Sequence, residues 1–209
     1  MTKLHLDALD KFSQKIWPRL ILFKDQGILG GGTALALQMA HRRSYDFDIF
    51  FKGEIQPDFA LKVNHLFAKE EVELLVDQKS ELSLMVGGKI RITFFYFPFP
   101  RLFPLVPTDS LPLFSLKDLA SNKAYVIGRR GSWKDYVDLY WLLAKKGLDL
   151  GKIVAEAKQR FGHNFSEKLF YQQLVYWNDI SDFTIEYLGE ELKPIPIQAF
   201  FKELVQKLI

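Results

Sequence analysis

ILGGGTALALQMAHRRSYDFDIFF, running from Ile28 to Phe51, places a glycine turn, a short helical segment, a basic corner and an acidic strand in immediate succession. Extended backbone alternates its side chains, so Ser44, Asp46 and Asp48 are expected on one face and Tyr45, Phe47, Ile49 and Phe51 on the other. Two carboxylates about 7 Å apart along an otherwise apolar strand repel each other, and a cation between them relieves the repulsion. Magnesium suits such a pair, because it takes hard oxygen ligands from one or two carboxylates and completes its shell with water and substrate phosphates. Upstream, Gly30, Gly31 and Gly32 lead into Thr33 at the predicted start of a helix reaching about Ala40. Backbone amides, a hydroxyl and the positive helix end there suit a phosphate. A solvated strand face or an ordinary glycine turn explains either feature alone. Together, with thirteen residues between Gly32 and Asp46, they put an anion site beside a cation site, as a nucleoside triphosphate with magnesium requires.

The rest of the chain is compatible with one sizeable core plus a helical extension. Its 209 residues are 48% hydrophobic and 25% charged, with 19 phenylalanines, a composition that excludes a disordered chain. A net charge of +3 is too small to demand a polyanionic partner. The absence of cysteine excludes disulfides and thiolate-ligated metals and fits a reducing compartment. No signal-peptide core and no run of about 18 apolar residues occurs, so a cytoplasmic protein without a membrane partner is expected.

Outward from the opening stretch, residues from about Leu4 to Phe23 have helical spacing broken at Pro18. A further helix is expected from Pro57 to Lys69, then strands at VELLV, ELSLMV and KIRITFFYFPF, the last two joined by a Gly87-Gly88 turn. PFPRLFPLVPTDSLP holds five prolines and reads as an extended linker, with a boundary near Pro104 between residues 1–103 and an all-helical 104–209. Two later helices open with Ser-x-x-Asp, Ser115 to Asp118 and Ser132 to Asp135, a capping pattern. The amphipathic end FFKELVQKLI is expected to pack back on the core. The predicted class is α+β: a mixed sheet with flanking helices, then a helical C-terminal domain.

The run GGTALALQMAHRRSYDFDIF closely resembles the first motif of the AbiEii/AbiGii-type nucleotidyltransferase toxins, within the polymerase-beta-like superfamily. SLKDLASNKAYVIGRRGSWKDYVDLYWLL resembles their second signature, with Lys123, Arg129, Lys134, Asp135 and Asp138 at its marked positions. From the residues alone, Asp118 reads as a helix-capping acid, whereas Asp138, flanked by Val137 and Leu139, needs a partner, either Lys134 one turn away or something functional. The resemblance implies that Asp46 and Asp48 hold magnesium, that Lys123 contacts triphosphate, and that Asp138 supports the metal or positions Lys123. It implies nucleotide contact for Gly31, Gly32, Thr33, Arg43, Ser44, Arg129 and Asp135.

It further implies transfer of a nucleotidyl group from a nucleoside triphosphate to an acceptor, with the 3′ end of tRNA suggested, by a toxin paired with an antitoxin protein. Arg129, Arg130, Lys134, Lys158 and Arg160 form a scattered basic set available to RNA phosphates, or simply solvated. A third carboxylate usually lies on a neighbouring strand in this superfamily. Within KIRITFFYF, Thr93 stands where that acid is expected, which keeps open an alternative: a catalytically degenerate member that binds nucleotide or a partner without turnover. His41 and His65 read as structural or surface residues, and FFYFPFP as core.

Overall fold

The computed structural model describes residues 3–129 and 131–207; Arg130 of the basic set and the last two residues of FFKELVQKLI lie outside them. Described residues up to Phe99 together with Pro104–Phe114 form one compact unit, and Pro100–Phe103 with those from Ser115 onward form a second. The expected boundary near Pro104 falls within this alternation. Pro104–Phe114 is held in the first unit because Val106 and Leu113 exchange backbone hydrogen bonds and Leu29 N–H donates to Pro112 O.

In the N-terminal unit, Asp10 caps α1 (Lys11–Ile16), and the chain tightens into a 3₁₀ segment, Trp17–Phe23, where Pro18 occupies its first turn. β1 (Gly27–Leu29), α2 (Gly31–Met39), β2 (Phe47–Phe51), α3 (Phe59–Leu66), β3 (Val72–Gln78), β4 (Glu81–Val86) and β5 (Ile90–Tyr96) follow. The sheet order is β1-β2-β5-β4-β3. β2 and β5 are parallel and all other neighbours antiparallel, giving the mixed sheet expected. β1 was not foreseen: three residues including a glycine carry too little alternation to read as a strand.

The phenylalanines fill both faces of this sheet. On one, Phe23, Phe59 and Phe94 meet edge to face with ring centroids 5.0–5.4 Å apart, a geometry that aligns ring edges with ring faces. On the other, Phe50 lies 4.2 Å from Phe95, 4.8 Å from Phe97 and 5.3 Å from Phe114. Of FFYFPFP, expected as core, only Phe94 is fully buried; Phe95, Phe97 and Phe99 are half-buried and Tyr96 is exposed, because alternate residues of the run turn outward, while His41 is buried and His65 exposed.

The C-terminal unit comprises α4 (Leu116–Ile127), α5 (Trp133–Tyr140) continued by a π-helical turn at Trp141–Lys145, α6 (Leu150–Phe161), α7 (Glu167–Leu174) and α8 (Pro194–Gln206). α8 returns to this unit's core: Phe201 lies 6.1 Å from Tyr136 and Phe200 5.0 Å from Tyr140. The buried Tyr136 hydroxyl donates to Gln173 O at 2.8 Å. Burial pushes its pKa up to about 12, whereas an unfolded tyrosine titrates near 10. The folded state thus holds the proton more tightly, and this contribution is complete below pH 10 and is lost as pH rises toward 12. By pH 11 the wild type should lose about 1.4 kcal/mol more than Tyr136→Phe relative to each protein's value at pH 9, read from urea unfolding; parallel pH profiles would refute the assignment.

Among the described residues no helix is long and apolar enough to cross a membrane.

Candidate active site

Gly31 stands at a positive φ of +63°, a backbone state that costs a residue with a β-carbon and suits glycine. A β-carbon there would overlap Asp48 Oδ2. α2 thus begins against the acidic strand only because that position carries no side chain. Gly30 is its N-cap residue, and no side chain caps the first turn, so its amides and the positive end of the helix are left for an anion.

The main chains of both acids are pinned to this turn. Gly30 N–H donates to Asp48 O at 2.9 Å, and the buried Thr33 hydroxyl bonds to Asp46 O and, at 2.7 Å, to Ser44 Oγ. A hydroxyl has one proton, so when Thr33 donates to the Asp46 carbonyl, Ser44 supplies the proton of their mutual bond. These bonds use carbonyls rather than carboxylates. Asp46 is exposed and Asp48 half-buried. Asp46 precedes the strand, whose pairing starts at Phe47 opposite Ile92. Arg43 Nη1 donates to Asp7 O at 3.1 Å, and Arg42 is buried with Nη2 where a β-carbon on Gly32 would fall.

Thr93 is the register partner of Asp48 across β2 and β5, and Ser83 is the partner of Thr93 across β5 and β4. Directly paired residues share a face, so the three form one polar row. Thr93 Oγ1 and Ser83 Oγ, both buried, are 3.0 Å apart and hydrogen-bonded. The position beside Asp48 thus holds a neutral hydroxyl pair. The register that pairs Ser83 with Thr93 is set by the hairpin, whose loop is Gly87-Gly88-Lys89 and not the two glycines alone, so it shifts by one residue from a Gly-Gly turn.

In the C-terminal unit Lys123, Asp135 and Asp138 are all buried. Lys123 Nζ lies 2.7 Å from Asp135 Oδ1 and 2.6 Å from Asp138 Oδ2. Asp138 therefore pairs with Lys123 on α4. Two carboxylates about one ammonium leave the cluster one negative charge if all three are ionised. Ser115 caps α4 by accepting from Asp118 N–H at 3.1 Å. Ser132 makes no such side-chain bond, correcting the symmetrical capping expectation: Asp135 N–H donates to the Ser132 carbonyl instead, at 2.9 Å.

The Asp118 carboxylate accepts from Leu102 N–H at 2.9 Å and Phe103 N–H at 3.2 Å, and Arg160 Nη1 is 3.6 Å from its Oδ1. Arg160 is buried, not part of a solvated basic surface, and burial lowers its pKa from the usual arginine value. Lys158 is exposed and pairs with Glu167 at 2.5 Å. Arg129 is exposed and donates to Asn164 O at 2.6 Å.

The family model for the nucleotidyl transferase AbiEii toxin of type IV toxin–antitoxin systems matches residues 19–208. The chain belongs to the AbiEii family. This AbiEii protein is 32% identical over 186 residues to an uncharacterized protein of Aquifex aeolicus (strain VF5), covering 87% of each chain. Its fold is similar to that of MenT4, the nucleotidyltransferase toxin Rv2826c of Mycobacterium tuberculosis H37Rv, with a TM-score of 0.60 at 14% identity over 90% of this chain and 79% of that one. It is also similar to JHP933 from Helicobacter pylori, with a TM-score of 0.55 at 15% identity over 98% and 96% of the two chains. The AbiEii chain is thus a nucleotidyltransferase of a toxin family, on the nucleotidyltransferase fold.

Proposed function

We propose that the chain transfers a nucleotidyl group from a nucleoside triphosphate to the 3′ end of tRNA, with magnesium, and that a cognate antitoxin opposes it. The observation carrying this reading is the placement of Asp48 against the uncapped start of α2, in space left by the missing β-carbon of Gly31. Asp46 and Asp48 offer hard carboxylate oxygens, and among the described residues no group of three or more acids or histidines could hold an ion alone. Such a two-acid donor set fits magnesium that completes its shell with substrate phosphates. When bound, the ion would neutralise triphosphate charge and polarise the phosphorus under attack. The amides of Gly31, Gly32 and Thr33 would receive phosphate oxygens. Thr33 and Ser44 fix the Asp46 main chain; nucleotide contact is assigned to Arg43 in the N-terminal unit and, by the family resemblance, to Lys123, Arg129, Asp135 and Asp138 of the C-terminal unit.

A second reading, a member that binds nucleotide or a partner without turnover, is favoured by one observation: the hydroxyl pair Thr93–Ser83 stands beside Asp48 where a third acid would accept a proton. One experiment separates the two. Incubation with each labelled triphosphate, magnesium and total tRNA should label RNA with the wild type and not with an Asp46→Ala, Asp48→Ala double variant. Equal labelling by both proteins would remove these acids from the chemistry. Magnesium-dependent nucleotide binding without transfer would establish the second reading, and expression that slows growth only when both acids are intact would tie transfer to toxicity.

A further inference from the structure

Four planar groups of the C-terminal unit follow one another in contact, the middle two stacked and each outer one a guanidinium over a ring. The Arg129 guanidinium carbon lies 4.2 Å from the centroid of the Tyr125 ring. Tyr125 and Phe161 are stacked with centroids 4.2 Å apart and an interplanar angle of 27°. The Arg160 guanidinium carbon lies 5.0 Å from the Phe161 centroid. The buried end of this series is fixed, since Arg160 donates to Pro100 O at 2.8 Å and to Asp118 O and Ser121 Oγ, each at 2.7 Å. The other end is exposed Arg129, which the Asn164 carbonyl holds at a second point. Among the described residues no carboxylate pairs with Arg129.

An exposed arginine ordinarily samples many rotamers and forfeits that freedom when it grips a ligand. Here the plane is set in advance from one side by an aromatic face and from the edge by a carbonyl, while the remaining N–H donors keep their capacity for an anion. Preorganisation of this kind raises affinity by lowering the ordering cost on binding.

We infer that Tyr125 is a positioning residue: its ring, backed by Phe161 and Arg160, presents Arg129 as a preset guanidinium plane to a phosphate group of the nucleoside triphosphate. The inference rests on the nucleotide-binding role proposed for Arg129 and adds the residue through which that role is built.

The test is a double-mutant cycle on the full chain, read by equilibrium binding of a nucleoside triphosphate and of inorganic tripolyphosphate, with KM and kcat for transfer alongside. Tyr125→Leu should weaken both ligands and raise the triphosphate KM about 3- to 10-fold with kcat within about twofold, a loss of the size expected for one fixed side chain. Tyr125→Phe, which keeps the ring, should bind like wild type. Arg129→Gln should weaken binding at least as much as Tyr125→Leu, and the double variant should be no weaker than Arg129→Gln alone, because Tyr125 acts only through Arg129. Multiplying losses, unchanged binding in Tyr125→Leu, or equal loss in Tyr125→Phe and Tyr125→Leu would overturn the inference. A loss confined to a single-stranded RNA oligonucleotide, with both triphosphate ligands unaffected, would overturn it as well. Binding needs no turnover, so a wild type that binds tripolyphosphate through this pair yet transfers nothing would reject the transferase reading and leave the inference standing.

Discussion

Lys123→Met should lower the unfolding free energy by about 3–5 kcal/mol, the cost of leaving buried carboxylates without their cation. Asp138 is fully buried and Asp135 nearly so, and the Lys123 ammonium lies within 2.6–2.7 Å of both. Replacing Lys123, Asp135 and Asp138 together with Met, Leu and Leu should recover most of that loss, since apolar side chains of similar volume often match or exceed a buried ionic group. Urea unfolding and labelled transfer on the same two variants then separate architecture from chemistry. If Lys123 and Asp138 handle nucleotide, the restored triple variant folds and stays inactive. If it regains transfer, the cluster is structural only; a Lys123→Met cost below about 1 kcal/mol would contradict the burial itself.

Gly31→Ala should cut transfer by at least about 100-fold, the scale of loss when a reacting group is displaced by about an ångström. Unfolding free energy should fall by about 1–3 kcal/mol, because the new β-carbon demands a positive φ from alanine and overlaps the Asp48 carboxylate. The two causes separate in Gly31→Ala, Asp48→Ala, which removes the overlap, keeps the backbone cost, and should regain part of the stability and none of the transfer. Gly32→Ala should be milder for the backbone, since Gly32 lacks a positive φ, its obstacles being the end of the Arg42 side chain and Ser44 Oγ at 3.4 Å. A Gly31→Ala protein as active as wild type would show that Asp48 does not need its present place.

What could be read in advance divides along physical lines. Period-2 apolar patterning and the Gly87-Gly88 turn located β4 and β5, because both signals lie within a few residues of chain. Ser115 and Asp118 were legible as a helix start for the same reason. Ser132 and Asp135 carry the same letters and behave differently: Asp135 N–H donates to the Ser132 carbonyl and not its hydroxyl, and the Asp135 carboxylate is taken by Lys123, twelve positions away, in a buried charge-assisted bond. Arg160 by sequence belongs to a basic set open to RNA phosphates or solvent; its partners Asp118, Ser121 and Pro100 O come from distant segments and bury it.

The sequence by itself determined the α+β class and the family, and it put forward the acidic pair Asp46 and Asp48 and the lysine and aspartate of the helical half as candidates, because each is written in local spacing or in a contiguous motif. The tertiary structure alone decided that Gly31 makes room for Asp48, that Thr93 faces Asp48 with its hydroxyl committed to Ser83, that Lys123 is held by two acids, and that Arg129 rests on Tyr125. The first three depend on strand register or on segments meeting from distant parts of the chain; Tyr125 and Arg129 are one helical turn apart, and there the fold adds Phe161 behind the ring and the Asn164 carbonyl at the guanidinium.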